Sequence, residues 1–252
     1  MATAFALDAR PSFQSATEPY DADTLTVSDL HLGLPAARPR DLLDMLEQWR
    51  FERLILLGDI LHDWSLRHLC ADTWRLLAHI RGLSQRSEAE IVWLLGNHDR
   101  HLSHLVARLV GIEAAESFQW RYGGRRFMAL HGDRFDRFIS THARTSALLS
   151  RLYTFAQRWL SSSGEWPKCL DRAHVRLGKL STQIEQGACG YAAENEVNVI
   201  VCGHTHEARR TVFEPSAPGR RPIEYLNTGC WVDRPASFVT VGAAGVALNH
   251  CP

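Results

Sequence analysis

The chain has 252 residues, of which 45% are hydrophobic and 22% are charged, as in an average soluble globular protein. Basic and acidic residues number 28 each, so no net charge attracts the chain to nucleic acid. A disordered chain would have fewer apolar residues and a larger charge imbalance, and a membrane-spanning helix would need about 18 apolar residues in a row. The composition therefore indicates one folded domain with room for an embedded lobe.

The N-terminal segment and the cysteines bear on the compartment. Residues 1–22 carry no basic stretch before an apolar run, so we interpret them as a loosely docked tail rather than a signal peptide. The six cysteines include no CxxC pair, which argues against a zinc ribbon or a thioredoxin-type motif. Free thiols without an export signal are typical of the cytoplasm, which is the expected location.

The first half of the chain alternates short apolar runs with longer amphipathic segments. Strands are predicted at residues 25–27, 54–57 and 91–95, and helices near residues 41–50, 66–81 and 101–110. Strands that alternate with helices of about 10–15 residues indicate βαβ units and a largely parallel sheet.

After Gly111 the pattern changes to short strands. Two runs at 118–122 and 126–130 flank Gly123 and Gly124, which is a two-residue hairpin signal. Further strands are predicted at residues 211–213, 223–226, 238–241 and 245–248. A second, mixed or antiparallel sheet packed on the first is therefore expected.

Between these strands, residues 136–192 show a helical pattern with no strand signal, broken at residues 161–164 and at Pro167. The segment is too long for a simple loop, so we predict a helical cap of two main helices joined by a polar turn. The cap is inserted into an α/β domain that spans residues 23–252.

Five short polar motifs follow predicted strands. They are Asp29-Leu30-His31, Gly58-Asp59, Gly96-Asn97-His98-Asp99, His131-Gly132-Asp133 and Gly203-His204-Thr205-His206. Each motif alone is weak, because Gly-Asp also serves turns and a single histidine after a strand is more often structural. Together they are informative, since open α/β sheets place their ligand crevices at the carboxyl ends of strands.

The motifs supply seven side chains that suit first-row divalent metals. These are Asp29, His31, Asp59, Asn97, His131, His204 and His206. Imidazole and carboxylate ligands without thiolate favour manganese, iron or zinc. A single tetrahedral zinc takes three or four protein ligands, so seven candidates favour two ions that share a carboxylate.

The ordered set DLHLG, GDI, GNHD, HGD and GHTH resembles the calcineurin-like metallophosphoesterase superfamily. The resemblance implies a four-layer sandwich, in which two packed mixed sheets are flanked by helices. It implies a first ion held by Asp29, His31, Asp59 and His206, and a second held by Asp59, Asn97, His131 and His204. Two such ions would activate water and stabilise the charge that develops during phosphoester hydrolysis.

The same resemblance implies two catalytic residues beside the ions. His98 would lie near the substrate phosphate and donate a proton to the leaving oxygen. Asp99 would orient His98, because an imidazole near a metal site usually has its other nitrogen fixed by a carboxylate or carbonyl.

Within the superfamily, three features resemble the UDP-2,3-diacylglucosamine diphosphatases of the lipid A pathway. They are SDLHLG at residues 28–33, Asp136 after the HGD motif, and Asn227 with Gly229 and Trp231. This resemblance implies a manganese-dependent hydrolase, with iron or zinc as alternatives, that releases UMP and 2,3-diacylglucosamine 1-phosphate. His62 departs from that group, which usually has an aspartate there.

The predicted cap carries a stripe of arginines, Arg137, Arg144, Arg151 and Arg158, which recur every seven residues. Residues 134–185 hold nine Lys or Arg against four Asp or Glu. A basic amphipathic helix suits an anionic lipid or phosphorylated head group, so Arg137, Arg144 and Arg151 are predicted to bind substrate and an inner-membrane surface. The alternative is a solvated helix face.

Other functions are less consistent with the sequence. A protein phosphatase of this superfamily carries an arginine in GDxxDRG, which residues 58–64 lack. A metal-free interaction module would have lost ligands, and nucleic-acid binding by the arginine-rich segment lacks interleaved stacking aromatics. The open alternative is another phosphodiester or phosphomonoester as substrate.

Overall fold

The structure is a computed structural model that describes residues 19–62, 68–136, 170–215 and 221–252. The first part of the chain forms β1 (Tyr20–Val27), α1 (Pro39–Glu47), β2 (Trp49–Leu57), α2 (Ala71–Gln85), β3 (Glu90–Leu94), α3 (Ser103–Val110) and β4 (Ala114–Ala115). The remainder forms β5 (Phe118–Tyr122), β6 (Arg125–Ala129), α4 (Leu170–Glu194), β7 (Val199–Cys202), β8 (Arg209–Phe213), β9 (Ile223–Asn227), β10 (Ala236–Gly242) and β11 (Gly245–Cys251).

The strands form two mixed sheets. The order is β11-β10-β1-β2-β3-β4 in the first sheet and β5-β6-β7-β9-β8 in the second. Strands β1 to β4 pair in parallel, as do β6, β7 and β9, while antiparallel strands lie at the remaining positions. The predicted fold class, with a hairpin at β5 and β6, is confirmed.

Three apolar clusters hold the layers together. The inner faces of the two sheets meet in a cluster that contains Ile55, Leu57, Phe127 and Val201. The outer face of the first sheet packs against α1, α2 and α3, and that of the second sheet packs against α4. None of the described helices combines the length and the hydropathy that a membrane crossing requires.

The helix predicted near residues 41–50 is shifted, because Arg50 belongs to β2. Helix α1 begins at Pro39, whose fixed φ suits a first helical turn. From Trp49 onward the chain is extended and pairs in parallel with β1, with Tyr20 opposite Trp49 and their rings stacked 5.1 Å apart. Strand pairing and this ring contact therefore end the helix at Glu47.

Other boundaries also differ from the predicted ones. Helix α2 begins at Ala71 with Cys70 as its N-cap, rather than at residue 66. Strand β1 begins at Tyr20, inside the segment assigned to the N-terminal tail. Helix α4 covers the last part of the predicted cap, and residues 137–169 of that cap lie outside the described residues.

This topology places the functional loops at one end of the molecule. In the first sheet, β1, β2 and β3 run in parallel, so the loops that follow them leave from the same edge. The loops after β6, β7 and β9 likewise leave from one edge of the second sheet. The two edges adjoin, because the backbone N–H of His204 donates to Asp29 Oδ2 at 2.9 Å.

The cluster between the sheets is expected to contribute strongly to stability. Phe127 is 1% exposed there, so Phe127→Ala should lower the free energy of unfolding by about 3–5 kcal/mol. Val212→Ala, at a side chain 39% exposed, should change it by about 0.5 kcal/mol or less. Urea unfolding of both variants measures the difference, and equal losses would contradict this packing.

Candidate metal centre

The motif loops leave their strands through left-handed backbone. Seven described non-glycine residues have φ between 43° and 70°. Two of them are Ser87 and Glu196, and the other five are predicted ligands: Asp29, His31, Asp59, His204 and His206. Such conformations cost about 1–3 kcal/mol each and cluster at functional sites. Backbone of this kind therefore carries five of the seven side chains that the sequence assigns to metal binding.

Backbone hydrogen bonds hold the first two loops side by side beyond their strands. Asp29 N–H donates to Gly58 O at 3.1 Å, His31 N–H to Asp59 O at 3.0 Å, and Leu32 N–H to Ile60 O at 2.8 Å. The parallel pairing of β1 and β2 thus continues into the motifs. This fixes the Asp29 and Asp59 side chains next to each other.

One set of side chains, which we call the Asp29 group, comprises Asp29, His31 and His206. Asp29 Oδ1 lies 3.3 Å from His206 Nε2 and 3.8 Å from His31 Nε2. The two Nε2 atoms are 3.1 Å apart. Three ligand atoms of suitable type therefore converge in a space that a single cation can fill.

A second set, the Asp59 group, comprises Asp59, His131 and His204. His131 Nδ1 lies 3.0 Å from Leu57 O. A carbonyl can only accept, so Nδ1 carries a hydrogen, and in the neutral imidazole Nε2 has the lone pair. That Nε2 lies 3.3 Å from Asp59 Oδ2. His131 and His204, from loops of the second sheet, thus lie beside the carboxylate of Asp59, from a loop of the first sheet.

Burial and neighbouring charge oppose each other in these groups. Burial alone would raise the pKa of Asp29, but His131 and His206 outweigh it and lower that pKa to about 2. Burial would lower the pKa of His131, but the Asp59 carboxylate and then Asp29 raise it to about 10. His131 likewise outweighs burial at Asp59 and holds the pKa of that carboxyl well below its usual range. Asp29 and Asp59 are therefore both charged, as metal ligands must be.

Three buried atoms of predicted ligands have no hydrogen-bond partner: Asp29 Oδ1, Asn97 Oδ1 and His131 Nε2. Each atom comes from a different loop, and each can offer a lone pair to a cation once His131 is neutral. An unpaired buried acceptor costs about 1–3 kcal/mol, which a bound cation would offset. The donor set of carboxylate, amide oxygen and imidazole fits a divalent metal of the manganese, iron or zinc type.

His98 and Asp99 follow Asn97, and the role predicted for Asp99 is wrong. Asp99 is fully buried, and its carboxylate accepts from the backbone N–H of Gly96 at 2.7 Å and of Ile60 at 2.9 Å. It ties the second and third loops together. The His98 ring is held instead by His62 O, 3.1 Å from Nδ1, and the His98 N–H donates to Asp59 Oδ1 at 2.8 Å.

Two residues at the site were not assigned to it from the sequence. The His62 ring stacks on His98 with centroids 4.9 Å apart, and its Nδ1 is 3.5 Å from His31 Nδ1. Asp136 Oδ2 lies 3.2 Å from His204 Nε2. His62 stood out as a departure and Asp136 as a motif extension, but neither signal shows which imidazole the residue contacts.

The predicted substrate-binding residues Arg137, Arg144 and Arg151 lie outside the described residues. On the described side of the cap, α4 packs against the turn that ends at Asp136, and Gln183 Nε2 donates to Phe135 O at 2.8 Å. The substrate-binding role of the arginines stays a prediction.

Comparisons with known proteins agree with the fold and the motifs. A family profile described as calcineurin-like phosphoesterase matches residues 23–208. No curated protein shows significant similarity to the chain. Three solved structures are among those that the chain resembles.

A hypothetical protein of Pyrococcus horikoshii is 11% identical with a TM-score of 0.52, covering 92% of this chain and 88% of that one. A conserved uncharacterized protein of Streptococcus pneumoniae, described as a predicted phosphoesterase, is 15% identical with a TM-score of 0.39, covering 87% and 82%. Vacuolar protein sorting 29 of Cryptosporidium parvum is 14% identical with a TM-score of 0.44, covering 91% and 96%. At 11% identity, the likeness to the Pyrococcus horikoshii protein concerns the fold alone.

Gly58 offers a test of how tightly the site is built. Its φ is +80°, and a Cβ there would lie 2.5 Å from His131 Nδ1, so Gly58→Ala must displace that ring. Gly111→Ala is the matched control, because Gly111 has φ of +77° but no heavy atom within 4 Å of an added Cβ.

Both variants should lose about 1–2 kcal/mol of stability from left-handed backbone strain. Only Gly58→Ala should also weaken binding of Mn²⁺, by about tenfold or more, in an equilibrium titration. Equal Mn²⁺ affinity in the two variants would contradict the assigned position of His131.

Proposed function

The chain belongs to the calcineurin-like phosphoesterase family, and we propose that it hydrolyses phosphoesters with two divalent metal ions. The observation that carries the proposal is that three buried ligand atoms from three different loops lack a hydrogen bond: Asp29 Oδ1, Asn97 Oδ1 and His131 Nε2. A structural role for these residues would pair such atoms within the protein.

The described geometry supports a division of the ligands between two ions. The Asp29 group would hold the first ion and the Asp59 group the second. The family resemblance adds Asn97 to the second ion and has both ions share Asp59. Bound ions of this kind polarise phosphoryl oxygens and lower the pKa of water. The protein supplies fixed orientation, because hydrogen bonds within and between the loops hold the ligands before any ion binds.

We assign to His98 the transfer of a proton to the leaving oxygen. Its Nδ1 donates to His62 O, so its Nε2 remains to face a substrate. Its backbone N–H is fixed on Asp59 Oδ1, and its ring is stacked on His62. The imidazole is thus held beside the metal ligands, where general acid catalysis requires it.

For the substrate, we infer the diphosphate of UDP-2,3-diacylglucosamine, with Mn²⁺ as the ion and the inner-membrane surface as the place where the lipid is met. The support is the motif resemblance and the basic composition of residues 134–185. Two of the shared positions brace the metal loops: Asn227 Nδ2 donates to Gly203 O at 2.6 Å, and Trp231 N–H donates to Asp29 O at 3.1 Å. These two positions therefore bear on the catalytic centre more than on the lipid.

His62 favours a second candidate, which is another phosphodiester or a phosphomonoester. An imidazole stands where the diphosphatase group usually has an aspartate, and it is stacked on His98 at the edge of the site. A cationic or neutral imidazole there presents a different charge and shape to a substrate than a carboxylate would. The metal ligands stay the same.

The metal-dependent reaction is tested with Asp59→Asn. Loss of the shared carboxylate should lower hydrolysis of a chromogenic phosphodiester in Mn²⁺ by about 100-fold or more. Asp72→Asn, which removes an exposed carboxylate paired with Arg75 on α2, should leave the rate unchanged. Near-wild-type turnover of Asp59→Asn would contradict the two-ion assignment.

The substrate is tested by UMP release from UDP-2,3-diacylglucosamine in Mn²⁺, with Asp59→Asn as the blank. Replacing both Arg144 and Arg151 by alanine should raise KM for the lipid and weaken binding to anionic vesicles, whereas Arg75→Ala on α2 should do neither. Hydrolysis of a simple diester without UMP release would keep the reaction and discard the lipid substrate.

A further inference from the structure

We propose that Asp136 is a positioning residue for the second metal ion, which it serves by fixing His204, and that helix α4 holds Asp136 in place. The inference rests on the proposed two-ion function. It concerns a carboxylate that is 4% exposed, with Oδ2 3.2 Å from His204 Nε2. Both side chains are nearly buried, so little solvent competes for this contact.

The contact determines which nitrogen of His204 can bind an ion. An ionised carboxylate only accepts hydrogen bonds, so His204 Nε2 carries the hydrogen and Nδ1 has the lone pair. His131 is fixed in the opposite sense, since its Nδ1 donates to Leu57 O and its Nε2 faces Asp59. The Asp59 group therefore uses two imidazoles in opposite tautomers, each set by a different partner.

A carboxylate that accepts a hydrogen bond from an imidazole affects the ring in two ways, whereas a carbonyl affects it in one. It orients the ring as a carbonyl does, and its charge also makes the opposite nitrogen a stronger ligand. Of the two imidazoles in the Asp59 group, His204 has the carboxylate and His131 has the carbonyl. We therefore expect the affinity of the second ion to depend on Asp136.

Helix α4 packs against the turn that carries Asp136 and holds it in position. Phe135 N–H donates to Gly132 O and Asp136 N–H to Asp133 O, both at 3.0 Å, which closes the turn. Gln183 Nε2 from α4 donates to Phe135 O at 2.8 Å. At Gly187, one helical turn further on, an added Cβ would lie 3.0 Å from Phe135, so the helix packs directly on that ring.

Through Asp136, the contact with His204 links the metal site to the inserted segment. Asp136 is the last residue before the segment 137–169, and α4 is the helix through which the chain returns to β7. The first residue of the insertion and its last helix thus meet at the turn that carries Asp136. A displacement of α4 would reach the second ion through one turn and one hydrogen bond.

Equilibrium titration of the full chain with Mn²⁺ tests the role of Asp136. Asp136→Ala should weaken the second ion by about 10–100-fold and leave the first ion within about twofold. Asp136→Asn keeps an acceptor without the charge and should weaken the second ion less; it also carries the test if Asp136→Ala does not fold. Glu185→Gln, which removes an α4 carboxylate that pairs with Arg209, should change neither affinity.

A second readout separates orientation from general stability. Imidazole NMR of the metal-free protein should show His204 with its hydrogen on Nε2 in the wild type and a mixture of tautomers in Asp136→Ala. A merely structural loss would not change the tautomer of one imidazole. An unchanged tautomer together with unchanged affinity for the second ion would overturn the inference.

A matched pair of glycine variants tests the role of α4. Gly187→Ala pushes against Phe135 and should weaken the second ion, whereas Gly190→Ala, on the same helix with no heavy atom within 4 Å, should not. Equal affinities in these two variants would overturn the claim for α4. If the wild type and Asp136→Ala bind two ions with equal affinity, the role of Asp136 is overturned but the proposed function is not. If the wild type binds fewer than two ions, both are overturned.

Discussion

Two buried carboxylates, Asp29 and Asp59, are the constraint on which the rest of the site depends, at 0% and 2% exposure. Removing an unpaired charge from water costs several kcal/mol, so positive charge must lie beside them. In the protein alone, His131 supplies it, because Asp59 and then Asp29 raise its pKa to about 10 against the effect of burial. Bound metal ions would supply the same compensation, so ions and protons compete for one arrangement of ligands.

Backbone conformation and close packing hold the Asp29 and Asp59 carboxylates in fixed positions. Five predicted ligands stay in left-handed backbone, and an added Cβ at Gly203 would lie 2.5 Å from Asp29 Oδ2. Asp99 closes the third loop onto the second through two backbone N–H groups. Ligands that are ordered before binding lose little conformational freedom when an ion arrives, which increases the affinity.

The parts that the sequence predicts best are those that depend on local pattern. Strand ends followed by Asp, Asn or His could be read directly, because the carboxyl ends of parallel strands share an edge. Contacts that depend on tertiary packing could not. Trp49 reads as helical until its pairing with Tyr20 is known, and Asp99 reads as a partner of His98 until its carboxylate meets Gly96 and Ile60. Asp136 is visible in the sequence, but its contact with His204 needs the packing of α4.

X-ray diffraction from crystals grown with Mn²⁺, recorded at the manganese absorption edge, tests the two-ion centre most directly. The account predicts two anomalous peaks per chain, roughly 3.5–4 Å apart, one on the Asp29 group and one on the Asp59 group with Asn97. Peaks away from these residues, or no peak at all in a folded chain, would contradict the metal centre on which the proposed function rests.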